Sequence, residues 1–292
     1  MNFKPYLLAS RPKTLPAAIA PVFIGTAMAF SDNAGHWPSA LLAAFCALMI
    51  QIATNYANDY YDHIKGTDDQ ETRLGPTRAT AAGLVKPRAM RTAFILTFGF
   101  AALAGIYLIV RGGWPVVAIG LLSILFGILY TGGPFPLGYN GLGDIFVFIF
   151  FGLVAVGGTY YVQALDINAT VLMAGIAPGL LSTAILAVNN LRDIHNDRKA
   201  GKRTLAVMCG ESFGRLQYVL LLALAFLMPF VLVIMAGKHH YACIASAVSL
   251  FAIPLVRTIY REPPGRVYNT VLAGTGRLLF LFSLLFSIGW LL

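Results

Sequence analysis

Residues 39 to 65 read SALLAAFCALMIQIATNYANDYYDHIK. From Ala40 to Ala53 only Gln51 interrupts the apolar run. Asn55, Asn58, Asp59 and Asp62 then follow at offsets of three, four and seven, which place them on one side of a helix. A greasy helix that ends in stacked carboxylates needs a cation, because the carboxylates repel one another and the helix C-terminus is already negative. A second stretch repeats the plan. The apolar run from Thr170 ends in Asn190, Asp193 and Asp197. Each cluster runs into a segment dense in Lys and Arg. Carboxylates for Mg²⁺ beside cations for phosphate oxygens are what a magnesium diphosphate site requires.

Working outward, hydrophobic residues make up 58% of the 292 and charged residues 11%. Mean hydropathy is +0.74, outside the soluble range. Nine apolar stretches are of a size to cross a bilayer, which takes about 20 residues: roughly 14–30, 39–58, 92–110, 115–131, 144–164, 170–190, 216–236, 241–257 and 271–292. The alternation of barrel strands is missing. The expectation is an all-α polytopic membrane protein, with nine transmembrane helices around a central cavity open to the cytoplasm.

Basic residues set the orientation. With the N-terminus inside, eighteen of the 21 Lys and Arg fall in cytoplasmic segments and only Arg111 and Lys238 in outside loops, while Arg277 lies just within the last span. This is a positive-inside pattern. It accounts for the net charge of +9 as topology and attraction to anionic lipid. A nucleic-acid surface would not be divided among loops this way, so nucleic acid is excluded as a partner. The three cysteines, Cys46, Cys209 and Cys243, have no disulfide or metal spacing. The first apolar helix reads as uncleaved, because eight further spans follow it. The expected location is a bacterial plasma (inner) membrane, with the N-terminus and both acidic clusters on the cytoplasmic side.

Outside loops are short, but two inside loops are long, from His63 to Arg91 and from Arg198 to Arg215. Loops above about 12–15 residues are uncommon unless functional or disordered. Both directly follow an acidic cluster. The shared plan implies one domain over 1–292 with pseudo-symmetry, its clusters facing each other across the cavity. Within the loops, Arg78, Lys202 and Arg203 are the candidate phosphate clamp, with Lys65 beside them, because neighbouring glycines let backbone approach an anion. Ordinary topological charge is the competing account of these cations, and it is the reading taken for Lys86 and Arg88. His63 and His195 lie on other faces from the aspartates. Asp144 opens a helix and reads as a cap. Tyr60, Tyr61, Tyr130, Tyr139 and Tyr160 are either interfacial belt residues or the lining of a cation-stabilising pocket.

At these positions the chain resembles the intramembrane aromatic prenyltransferases of the UbiA superfamily. The resemblance rests on Asn58-Asp59-x-x-Asp62 with Asp193-x-x-x-Asp197, on the Arg11–Ala18 segment, on Gly75-Pro76-Thr77-Arg78-Ala79 and on Tyr130-Thr131-Gly132-Gly133-Pro134. Gly141-Leu142-Gly143-Asp144 and Asn189-Asn190-Leu191-Arg192-Asp193 complete it, although Asp144 stands where the nearest branch has Glu. That branch prenylates 1,4-dihydroxy-2-naphthoate in menaquinone synthesis. The resemblance implies a Mg²⁺-dependent transfer of a polyprenyl group from polyprenyl diphosphate, with decarboxylation, giving demethylmenaquinone. It implies that Asp59, Asp62, Asp193 and Asp197 hold Mg²⁺ with Asn58 assisting. Arg78, Lys202, Arg203 and Lys65 would hold diphosphate, and Asn55, Tyr130, Asn189 and Asn190 would line the substrate pocket. Membrane lipid is the surrounding partner; nothing in the chain calls for an obligate protein partner. Another acceptor such as 4-hydroxybenzoate remains open. A cation-coupled transporter would carry charge at mid-span, and a CDP-alcohol phosphatidyltransferase would carry its aspartates in one continuous Gly- and Arg-containing motif. Neither pattern occurs here.

Overall fold

A computed structural model describes residues 3–67 and 73–292. Part of the long basic loop read from His63 to Arg91 therefore lies outside the described residues. Every apolar stretch is helical, and no strand occurs among the described residues. Pro16, Pro38, Pro87 and Pro115 each sit in the first turn of a helix, where the missing N–H costs nothing. Gly113, at φ +70°, is the single residue between the helices Pro87–Gly112 and Trp114–Leu129. A residue with a Cβ pays a steric cost in that left-handed region, which suits glycine to so tight a reversal.

Among the described residues, seven helices are long and apolar enough to cross a membrane: Trp37–Ile64, Pro87–Gly112, Gly143–Ala164, Ala169–Arg192, Glu211–Ala236, His240–Arg261 and Tyr268–Leu291. An eighth span arises if Lys4–Thr14 and Pro16–Ser31, bent by 52°, count as one. The bend falls beside Arg11, itself left-handed at φ 52°, and two prolines. The stretch expected at 115–131 forms a helix of 16 residues, about 24 Å at the helical rise, short of a hydrocarbon core of about 30 Å. The expected nine thus become seven or eight by length and composition.

Two halves of the bundle differ in packing. Pro16–Ser31, Ala169–Arg192, Glu211–Ala236 and Tyr268–Leu291 share a continuous core around Ile24, Leu181, Leu191, Tyr218 and Phe282. Gly152 lies so close to the Ala169–Arg192 segment that a Cβ on it would stand 2.5 Å from the Gly175 carbonyl, the small-residue packing that membranes favour. Trp37–Ile64 packs along Pro87–Gly112 and more lightly on Trp114–Leu129. Between these halves lies a cavity of about 850 Å³. Large apolar residues such as Leu41, Leu103, Val110 and Ile234 are exposed around the outside. Such a band is a liability in water and the normal lining toward lipid; the chain is an integral membrane protein.

Candidate functional site

The cavity joins the two acidic clusters. Its polar end is lined by Asn55, Asn58 and Asp62 from the Trp37–Ile64 helix and by Asn189, Asn190, Asp193 and Asp197 from the other wall. Its apolar continuation passes Ile50, Ile124, Phe146 and Phe150 to Leu108, Val116 and Val162. The cavity also reaches the exposed Gly66 and Lys199 in the basic loops.

Asn55, Asn58 and Asp62 lie at offsets of three and seven, so one helix face presents them together. Asn55 donates its amide to the Ser10 carbonyl at 3.0 Å, and Asn58 accepts from the Thr131 hydroxyl at 2.8 Å. Asp62 is ion-paired with Arg78 and accepts the Tyr139 phenol. Asp59, expected in the same ligand set, is turned elsewhere. It is one residue round from Asn58, about 100° away on a helix, and does not line the cavity. Its two oxygens accept the backbone N–H groups of Ala79 at 2.9 Å and Thr80 at 2.8 Å. The carboxylate therefore anchors the loop immediately after Arg78.

On the second wall the helix breaks at Asp193, where Ile176–Arg192 ends and Ile194–Lys199 begins. Asp193 is gripped by its neighbour Arg192, while Asp197 lies 3.7 Å from the Lys202 ammonium. Burial pushes the Asp197 carboxyl up to about 6, Asp193 and Asp62 push it further in the same direction, and Lys202 and Arg192 oppose them. Repulsion from both walls on one carboxyl means that the three acids share a field.

Tyr139 stands between the walls. Its hydroxyl meets Asp62 and Thr67, and its ring carries the ammonium groups of Lys65 at 5.2 Å and Lys202 at 4.6 Å. Cations at these distances are held by the ring's negative face. Arg78 and Lys202 line the cavity. Lys65 is beside it, donating to the carbonyls of Thr131 and Gly133. Arg203 lies apart from the other candidate cations. Its side chain is exposed and outside the cavity lining, and its contribution is a backbone N–H to the Tyr139 carbonyl at 2.7 Å. The reason is geometric: Lys202 points inward, so its neighbour points out. Tyr130 lines the cavity, whereas Asp144 is turned to Gln217 at 2.7 Å.

Sequence reasoning missed Arg192 and Asn269. Arg192 counts among the topological charges, yet it is 2% exposed and bonded to Asn189 and Asn269 as well as Asp193. No sequence signal marks Asn269 beyond a polar residue at the mouth of the last apolar run.

The donor set fits Mg²⁺ with one condition. The candidate oxygens of Asn58, Asp62, Asp193 and Asp197 are hard ligands, but among the described residues no three acid, imidazole or thiolate groups converge on one point. That arrangement suits a cation which takes one or two carboxylates and completes its shell with phosphate oxygens and water.

Residues 18–284 match the UbiA prenyltransferase family. The chain belongs to this family. Among its relatives in the UbiA family is a 1,4-dihydroxy-2-naphthoate octaprenyltransferase of Mycobacterium tuberculosis, 41% identical over 97% of this chain and 95% of the relative. Another, of the same name, from Haemophilus influenzae, is 37% identical over 97% and 94%. In fold the chain resembles the solved structure of a UbiA homolog from Archaeoglobus fulgidus bound to DMAPP and Mg²⁺, with TM-score 0.70, 15% identity and 98% of each chain covered.

Proposed function

We propose that this UbiA-family enzyme, acting as one domain over 1–292, transfers a polyprenyl group from polyprenyl diphosphate to 1,4-dihydroxy-2-naphthoate and forms a demethylmenaquinol, the hydroquinone form of a demethylmenaquinone. The observation that carries the proposal is end-to-end similarity to relatives bearing that activity in their names. The site chemistry agrees with it. Mg²⁺, when bound, neutralises charge on the leaving diphosphate and so eases rupture of the allylic C–O bond. Asn58, Asp62, Asp193 and Asp197 supply the protein's oxygens for it. Arg78 and Lys202 take the remaining diphosphate oxygens, with Lys65 adding charge nearby. Asp59 enters as the support of the Arg78 loop, in place of the ligand role expected for it.

The acceptor ring would lie where polar lining meets apolar lining, near Asn55, Tyr130, Asn189 and Asn190. The isoprenoid would follow the apolar continuation past Ile124 and Phe150. The ring carbon that bears the carboxylate attacks the allylic carbon. A C–C bond forms, diphosphate leaves with the C–O pair, and loss of CO₂ returns its bonding pair to the ring. Two amphipathic reactants and a charged leaving group suit a site at the end of a membrane bundle, and the positive-inside pattern supports reading that end as the cytoplasmic side of a bacterial plasma membrane.

Purified protein given one polyprenyl diphosphate should form product from dihydroxynaphthoate only when Mg²⁺ is present. Product from 4-hydroxybenzoate at an equal or higher rate would reassign the acceptor. Orientation is tested separately. The exposed Cys209 should resist a membrane-impermeant thiol reagent in intact cells and react after lysis. Labelling from outside would reverse the topology.

A further inference from the structure

Asp193 is held by a chain of contacts that the proposed reaction does not use. The Arg192 guanidinium donates to both oxygens of Asp193, at 3.0 and 2.5 Å, and to the Asn189 side-chain oxygen at 2.8 Å. Its Nη1 donates to Oδ1 of Asn269 at 2.9 Å. Asn269 lies in the first turn of Tyr268–Leu291, and its Nδ2 donates to the carbonyl of Leu74 at 2.8 Å. Leu74 belongs to the segment that leads to Arg78. Gly75 lies against the same guanidinium, where a Cβ would stand 2.7 Å from Nη2 and 2.9 Å from Cζ of Arg192. A planar fork held on three sides has no free rotation left, and its carboxylate partner is oriented with it.

We infer that Asn269 is a positioning residue: one amide sets Asp193 on one wall and the Arg78-bearing loop on the other, and so fixes the spacing of the acidic and basic halves of the site. The inference rests on reading the cavity as a metal–diphosphate site. A purely structural role for Asn269 is a different claim, because the helix is secured without it. Tyr268 is fully buried and donates its hydroxyl to the carbonyls of Ile259 and Glu262, at 3.0 and 3.1 Å, and Tyr218 meets Thr275 at 2.9 Å. Loss of the Asn269 amide should leave the helix in place and free the Arg192 fork.

The test uses the full chain in detergent, with Mn²⁺ and inorganic diphosphate as the probe and free Mn²⁺ read by electron paramagnetic resonance. Partners one step behind a metal ligand typically change metal affinity about 10- to 100-fold. Asn269→Ala should therefore weaken diphosphate-dependent Mn²⁺ binding at least about tenfold, at unchanged abundance and thermal midpoint. Arg192→Lys should do the same, and adding Asn269→Ala to it should cost at most about twofold more, because both act through one contact. Gly75→Ala, which pushes the loop from Arg192 while leaving Asn269 intact, should reproduce the loss and stands in should Asn269→Ala fail to accumulate. Wild-type binding by Asn269→Ala or, in its place, by Gly75→Ala, or losses that add in the double variant, would overturn the inference and leave the site reading standing. Absence of diphosphate-dependent Mn²⁺ binding in the wild type would overturn both.

Discussion

The two acidic clusters look alike along the chain and are supported in different ways. The first is built from long-range contacts: Asp62 reaches Arg78 and Tyr139, and Asp59 reaches the backbone of Ala79 and Thr80. The second is built from near neighbours, Asp193 with Arg192 and Asp197 with Lys202, on a helix that breaks at Asp193. Among the described residues, Asn269, far along the chain, and Lys202 on the Tyr139 ring tie the second cluster to the rest. A repeated motif thus fixes the chemistry of a wall and leaves open which of its acids faces the substrate. Of the two acids in the first cluster, one faces the cavity and one serves the loop.

The strongest test of this contrast compares acids that line the cavity. Asp62→Asn and Asp197→Asn keep shape and remove one charge each, so each should lower kcat at least about 10²-fold, some 2.7 kcal/mol of barrier. Near-normal turnover at saturating Mg²⁺ would move that acid to the structural class. Asp59→Asn is expected to behave differently. It loses charge-assisted bonds to two buried backbone donors, so its main effect should be a stability loss of about 1.5–3 kcal/mol, read by thermal or denaturant unfolding. If it instead abolished metal binding with stability intact, the division within the first cluster would fail.

A third test concerns pH. Asp197, held at about 6 by burial and by Asp193 and Asp62, lies above its unfolded value near 3.9. In the metal-free protein its ionisation therefore costs stability above pH 6, and that cost is relieved as pH falls through 6. A proton there also competes with the cation, so below pH 6 each pH unit should weaken Mg²⁺ binding about tenfold. Titrations of Mg²⁺ binding between pH 5 and 8 check this, and Asp197→Asn should flatten the lower limb. The smallest effects belong to the loop cations outside the cavity. Arg203→Ala and Lys86→Ala should leave kcat within about twofold, whereas Arg78→Ala should depress kcat itself, since a group that stabilises only the transition state shows its loss there. Equal, small effects at all three positions would reduce the clamp to ordinary positive-inside charge.

The amino-acid sequence by itself determined the solvent, the helices and the chemistry. Run lengths of apolar residues specify spans because backbone in hydrocarbon must bond within its own helix, and offsets of three and four specify a face because the helical repeat is local. Those rules grouped Asn58, Asp59 and Asp62 at one helix end and Asp193 and Asp197 at another without any knowledge of packing, and all but Asp59 line the cavity. What only the tertiary structure decided is how each helix is rotated and what each loop meets. Asp59 and Asp62 have the same composition and nearly the same place, yet the first meets backbone donors and the second meets the cavity. Arg78 and Arg203 are both basic loop residues, yet one is buried on a carboxylate and the other is exposed. Arg192 and Asn269 become visible only when the last helix is laid beside a loop some 195 positions earlier. Such contacts depend on interhelical packing, and no local periodicity records them.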